Sequence, residues 1–149
     1  MFVDVSNARV DEQRQVMEKI VEANECPFCQ SNLEKYHREP ILMESHHWLV
    51  TRNQWPYEHT SFHFLLIAKV HVEHLRDLPA EAGTELIELV KKLDDLYHFE
   101  GGGLAIRFGS TQYSAGTVAH LHAQIVIPDV QAPDFEPVRI KIGTRPQLG

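Results

Sequence analysis

The chain has 149 residues, 43% of them hydrophobic and 23% charged, with a formal charge of −7 at neutral pH. That length and apolar content suit one domain with a sizeable core, and no apolar run is long enough to span a bilayer. An acidic chain with scattered Lys and Arg argues against a general polyanion surface, so no nucleic acid polymer or membrane is expected as a partner, and any phosphate-bearing ligand is expected to be small and locally held. The start, Met1-Phe2-Val3-Asp4-Val5, has no basic region followed by an apolar one, and the expected setting is cytoplasmic.

Across residues 11–24, Val16, Met17, Ile20 and Val21 recur at helical spacing and predict an N-terminal helix. It ends at Cys26-Pro27-Phe28-Cys29, which in a reducing compartment reads as half a metal site, a redox pair or two free thiols before it reads as a structural disulfide. Residues 40–43 and 47–51 read as short strands around a turn, and 61–67 as a third strand. Pro56 interrupts any ladder in the intervening loop. Asp77 and Pro79 mark a helix start, and Leu86, Ile87, Leu89, Val90, Leu93, Leu96 and Tyr97 trace one apolar stripe to about His98. Gly101-Gly102-Gly103 stops that helix; residues 104–108 and 119–127 give a fourth and a fifth strand around a small-residue loop at 109–116. The remainder carries one edge strand at 138–142. There are no internal repeats, and this order suggests an α+β domain with a mainly antiparallel sheet.

The stretch Ala119-His120-Leu121-His122-Ala123-Gln124-Ile125-Val126-Ile127-Pro128 alternates polar with small or apolar residues. In a strand, residues i, i+2 and i+4 share a face at roughly 6 to 7 Å intervals. His120, His122 and Gln124 are thus expected to line one surface, and Leu121, Ala123 and Ile125 the other. Burying three polar groups in a row costs free energy unless each is bonded or ligating, which favours a functional site over satisfied structural residues. Neutral imidazole is a competent nucleophile toward phosphorus, and His122 is the central candidate for a nucleotidyl-histidine intermediate. Gln124 can donate from its amide but cannot shuttle a proton. The loop holding Gly109, Ser110, Gly116 and Thr117 supplies hydroxyls and amides beside the histidines; alone it would read as a surface turn. Zinc favours tetrahedral sulfur and nitrogen ligands, and spacing does not choose the partners of Cys26 and Cys29 among His37, His46, His47, His71, His74 and His120.

From Cys26 to Pro128 these residues together resemble the histidine triad (HIT) superfamily of nucleotidyl hydrolases and transferases. The triad pattern alternates three histidines with apolar residues, and this chain has His120-Leu121-His122-Ala123-Gln124-Ile125-Val126, with glutamine third. That variant is similar to the galactose-1-phosphate uridylyltransferase and dinucleoside tetraphosphate phosphorylase branches, which implies His122 as nucleophile. Asn53-Gln54-Trp55-Pro56-Tyr57 resembles the Asn-x-aromatic-Pro-Tyr segment of phosphorylase-like members, implying that Asn53 contacts ribose and that side chains such as Trp55 flank the base. The resemblance also places His63 near the triad, Thr117 against phosphate, and Cys26, Cys29, His71 and His120 as a structural zinc set. It says nothing of magnesium. Phe62 and Ala68 stand where the superfamily carries glycine and proline.

The resemblance implies a HIT-like domain at 1–128, with a five-stranded sheet, a long helix and a shorter N-terminal one, and a tail at 129–149 packed on the domain or on a partner subunit. It further implies a homodimer. The expected activity is nucleotidyl transfer or hydrolysis on a nucleoside phosphate or dinucleoside polyphosphate, with a non-catalytic nucleotide-binding module carrying structural zinc as the rival. On residues alone, Asn53 could also cap the turn before Pro56, Trp55 and Tyr57 could be core aromatics, and His63 a satisfied strand histidine.

Overall fold

The chain passes through helices α1 (Asp11–Ala23) and α2 (Gln30–Tyr36), strands β1 (Ile41–Glu44), β2 (Trp48–Arg52) and β3 (Thr60–Ala68), helix α3 (Ala80–Tyr97), strand β4 (Gly103–Arg107), the one-turn helix α4 (Thr111–Ser114) and strand β5 (His122–Pro128). The computed structural model describes residues 1–146; the end of the predicted tail, 147–149, lies outside the described residues. The strands form one sheet in the order β1-β2-β3-β5-β4, every neighbouring pair antiparallel. The last strand is thereby inserted between β3 and β4, held on both edges.

Strand periodicity divides the sheet into two faces. Trp48, Val50, Phe64, Leu66, Ala123, Ile125 and Ile127 are buried against Leu86, Leu89 and Leu93 of α3. Leu49, Leu65 and Ile67 pack against Leu33 of α2 on the opposite face, and Thr51, His63, His122 and Gln124 share that face. Burial of large side chains such as Phe64 and Leu66 contributes about 1.5–3 kcal/mol each to holding the α3 face. Helix α1 seats Met17 and Ile20 on Val3, forming a small cluster beside the second face.

The elements depart from the sequence expectations where apolar spacing was uninformative. Only Leu33 of α2 is buried, so that seven-residue helix left no stripe to read. On α3, Leu86, Leu89 and Leu93 are buried while Ile87 and Leu96 face solvent, so the apolar stripe is narrower than predicted. The 109–116 loop contains α4, whose N-cap Ser110 accepts from the Gln112 N–H. Residues 138–142 form no strand, and β5 begins at His122 rather than at residue 119. There the backbone has other partners: Ala119 N–H donates to Phe2 O and Leu121 N–H to Val72 O. Gly102 is fixed by crowding, since a Cβ there would lie 2.5 Å from both the Val126 carbonyl oxygen and Ile127 Cδ1. No described helix is long and apolar enough to cross a membrane.

Candidate active site

A cavity of about 400 Å³ opens on the face of the sheet away from α3. Its floor is strand-borne: Leu65, Arg107, His122 and Gln124 line it, and the register pairs Arg107 with His122. Its walls come from α1, the Cys26–Cys29 knuckle and the loop after β2, and the tail residues Pro137, Val138, Arg139 and Lys141 line it too.

His122 is 9% exposed, with Phe28 edge-on at 5.1 Å between ring centroids. Its Nδ1 lies 2.7 Å from the His120 carbonyl oxygen. A carbonyl only accepts, so Nδ1 carries the proton and Nε2 keeps its lone pair for the cavity. Burial first, then the charge of Arg107, pushes this imidazole down to about 4, against the opposing effect of its backbone hydrogen bond. The ring is thus neutral around pH 7.

Gln124, two residues on, is held by His63. Tyr57 N–H donates to His63 Nδ1 at 3.1 Å, so the ring proton sits on Nε2, which donates to Gln124 Oε1 at 2.6 Å. With its oxygen engaged, Gln124 offers the cavity its NH2 group, a donor. His63 is buried and does not line the cavity; it stands behind Gln124, with Asn53 Nδ2 3.4 Å from its protonated Nε2. Desolvation, then Arg9 and Arg107, hold His63 down at about 4 despite the hydrogen bond to Gln124. The unfolded chain therefore takes up this proton first as acid is added. Stability present above about pH 6.5 is lost as the pH falls toward about 4, by on the order of 3 kcal/mol for this group. Urea midpoints measured across that window are expected to fall less in His63→Gln than in the parent chain; parallel curves would refute the assignment.

Two cations that the sequence reading passed over face the same cavity. Arg107 Nη1 donates to the carbonyls of Ala115 at 3.2 Å and Lys141 at 3.0 Å. Its Nε is buried without a partner among the described residues. Arg9 Nη2 donates to Trp55 O at 2.6 Å, and its guanidinium lies 4.4 Å from the Tyr57 ring centroid. A basic residue ending a strand in which small Gly103 and Ala105 alternate with apolar Leu104 and Ile106 was a readable signal for Arg107. Arg9 had none, because it arrives by tertiary folding of the N-terminal arm.

Beside the cavity Cys26, Cys29, His71 and His120 converge, their ligand atoms all within 4.8 Å of one another. The Sγ–Nδ1 separations are 3.3 Å for Cys26–His120, 3.4 Å for Cys29–His71 and 3.8 Å for Cys29–His120, and the two Nδ1 atoms are 3.1 Å apart. Tetrahedral zinc with bonds of about 2.3 Å to sulfur and about 2.0 Å to nitrogen has S–N edges near ~3.6 Å and N–N edges near ~3.3 Å. The observed edges fit. His120 Nε2 donates to the Ala68 carbonyl at 2.6 Å, which leaves Nδ1 free of a proton and aimed at the cluster. As a bare thiol Cys26 is pushed up to about 12, by burial first and then by its hydrogen bond with Cys29; a divalent cation reverses that tendency.

The family model described as "Scavenger mRNA decapping enzyme C-term binding" matches residues 25–136. The chain belongs to this family, and with it to the histidine triad superfamily. Solved histidine triad structures share the fold. A histidine triad protein from Clostridium difficile is 22% identical, with a TM-score of 0.57, covering 74% of this chain and 96% of that one. A zinc-bound histidine triad family protein from Mycobacterium smegmatis is also 22% identical, at TM-score 0.57, covering 80% of this chain and 84% of its own. A HIT family hydrolase from Clostridium thermocellum is 21% identical, with a TM-score of 0.54 and coverages of 76% and 96%. No curated protein sequence matches the chain.

Within this histidine triad fold the expected residues divide into three groups. His122, Gln124, Asn53, Trp55 and Thr117 meet around the cavity. Asn53 also holds the turn, its Oδ1 accepting from Trp55 N–H at 2.8 Å, so the capping and pocket-lining readings both describe it. His120 lies just outside the strand: its ring, like that of His122, meets Phe28 edge-on, but its Nδ1 turns to the cysteines, and its carbonyl accepts from His122 Nδ1. Gly109 and Ser110 line a separate recess with His74, and Gly116 is bound to Ser114 Oγ and Asn7, so none of the three reaches the cavity. Gly109 has φ +82, and a Cβ there would meet the His74 ring at 2.8 Å; its role is close packing. His47 pairs with Glu85 and His98 caps α3, away from the site, whereas His37 and His59 line the cavity wall.

Proposed function

We propose that this histidine triad protein is a nucleotidyltransferase or hydrolase of nucleoside phosphates or dinucleoside polyphosphates, acting through a nucleotidyl-His122 intermediate. The observation that carries this reading is the His122 Nδ1–H bond to the His120 carbonyl, which leaves a neutral, unprotonated Nε2 at the floor of a cationic cavity. The Nε2 lone pair attacks the α-phosphorus; a P–N bond forms and the P–O bond to the leaving phosphate breaks, its electron pair departing on oxygen. The acceptor's oxygen then displaces the histidine, returning the lone pair to Nε2 and releasing the acceptor's proton. Gln124, held by His63, and Thr117 donate to the non-bridging oxygens as charge builds. Glutamine in the third position favours phosphate or a sugar phosphate as acceptor, as in the branches it resembles. Asn53 and Trp55 serve the nucleoside end.

Cys26, Cys29, His71 and His120 would hold zinc as a structural ion, which ties the knuckle to the sheet and orients residue 120; four protein ligands leave no open position for Lewis-acid work. Residues 1–128 would act as one catalytic domain with the tail from 129 packed on it. The assembly would be a homodimer, a reading supported by the outer position of β4 and the exposure of Leu104 on it.

The test is rapid mixing with a dinucleoside polyphosphate labelled at the α-phosphorus. An acid-labile protein adduct should appear and decay, and added phosphate or sugar phosphate should divert the product from nucleoside monophosphate. Monophosphate alone at every acceptor concentration would assign hydrolysis. Tight binding with no adduct would leave a binding module.

A further inference from the structure

Arg9 and Arg107 face one cavity without an ion-pair partner among the described residues. Glu58 is the one acidic residue among those that line the cavity, its side chain 94% exposed. The other charged groups on the lining are the cations Arg139 and Lys141. Arg107 is half-buried and Arg9 exposed, and with both facing one cavity their like charges repel, which an anion bound between them relieves. Desolvation first, then the charge of Arg107, lower the pKa of Arg9 against the opposing effect of Tyr57.

The two cations occupy different depths. Arg107 is the register partner of His122 on the adjacent strand, at the reacting centre. Arg9 is reached from the strand by two further steps: His63, which holds Gln124, has its centroid 4.4 Å from Tyr57, and Tyr57 carries the Arg9 guanidinium at 4.4 Å. Arg9 is itself fixed rather than mobile. Its main-chain N–H donates to Gln13 Oε1 at 2.9 Å, its Nη2 is bound to Trp55 O, and its ring stacking restrains the plane. The remaining guanidinium N–H groups form the planar fork that suits phosphate oxygens.

Building on the proposed reaction, we infer that Arg9 is a specificity-determining residue that binds a second phosphate of the substrate, beyond the phosphoryl group facing His122, so that the site selects polyphosphate chains over single phosphates. Arg9 lies outside the segment 25–136 matched by the family model, so this selectivity belongs to the N-terminal arm of this chain.

Equilibrium binding of inorganic tripolyphosphate and of orthophosphate tests the inference without any need for turnover. The parent chain should bind tripolyphosphate at least tenfold more tightly than orthophosphate. Arg9→Gln should weaken tripolyphosphate about tenfold or more while changing orthophosphate less than twofold, and Arg9→Lys should restore part of the loss. Equal affinity of the parent and Arg9→Gln for tripolyphosphate, in a variant whose melting temperature is unchanged, overturns the inference, as does a parent chain that does not distinguish the two anions. An unfolded Arg9→Gln leaves the decision to Arg9→Lys, whose discrimination must then fall between the parent's and none. Failure of the His122 adduct experiment alone would sink the catalytic reading and leave this binding result standing.

Discussion

His122→Ala is expected to reduce turnover by at least about a thousandfold, because removing a covalent nucleophile removes the two-step route itself and leaves only binding and electrostatic assistance. The same variant is expected to stay folded. The side chain lies at the cavity floor rather than among the α3-facing core residues, and what it loses is one hydrogen bond to the His120 carbonyl and an edge contact with Phe28. Those are worth about 1 kcal/mol each, small against the stability of a domain. Nucleotide affinity measured calorimetrically should survive, since the groups proposed to hold nucleoside and distal phosphate are elsewhere. The combination of intact binding, intact melting and absent turnover is the expected result; unimpaired turnover would end the covalent mechanism.

Removal of the ion is expected to have the second large effect, on stability. Emission spectrometry of the purified chain should find one zinc per chain. An ion present at a thousandfold over its dissociation constant stabilises the folded state by about 4 kcal/mol. In a domain of this size that corresponds to a fall of about 10 °C or more in melting temperature on chelation. Cys26→Ser should show the same fall and no further response to chelator, because Cys26 is buried at the cluster and serine replaces a thiolate that zinc prefers. A chain that melts identically before and after exhaustive chelation would show that the four residues carry no stabilising metal.

The parts of this architecture readable from sequence were those with strong periodicity. Leu86, Leu89 and Leu93 announced α3, and Leu121 with Ala123 and Ile125 of β5 announced the side packed on α3. Phe62, where the superfamily carries glycine, is explained only in three dimensions: it packs with Phe64, Tyr97 and Phe99 on the α3 side. Strand alternation placed His122 and Gln124 on one face but started the strand at residue 119 rather than His122, since period-two spacing does not show where the ladder stops. The glycines and hydroxyls of 109–116 read as phosphate donors by composition, yet α4 and the contact with His74 turn Gly109 and Ser110 elsewhere. Arg9 could not be read at all, and the tail, expected to carry an edge strand at 138–142, instead lines the cavity with Pro137, Val138, Arg139 and Lys141, because segments without periodicity declare their neighbours only once folded.

Residue 120 serves two centres at once, its ring turned to the cysteine cluster and its carbonyl gripping the ring of His122. Binding at either centre that stiffens this residue must favour binding at the other by an equal factor, for linkage between two ligands is reciprocal. On the proposed function an ion held by the four residues is therefore a thermodynamic partner of the nucleotide, and removing it is expected to weaken nucleotide binding without touching a single residue of the cavity.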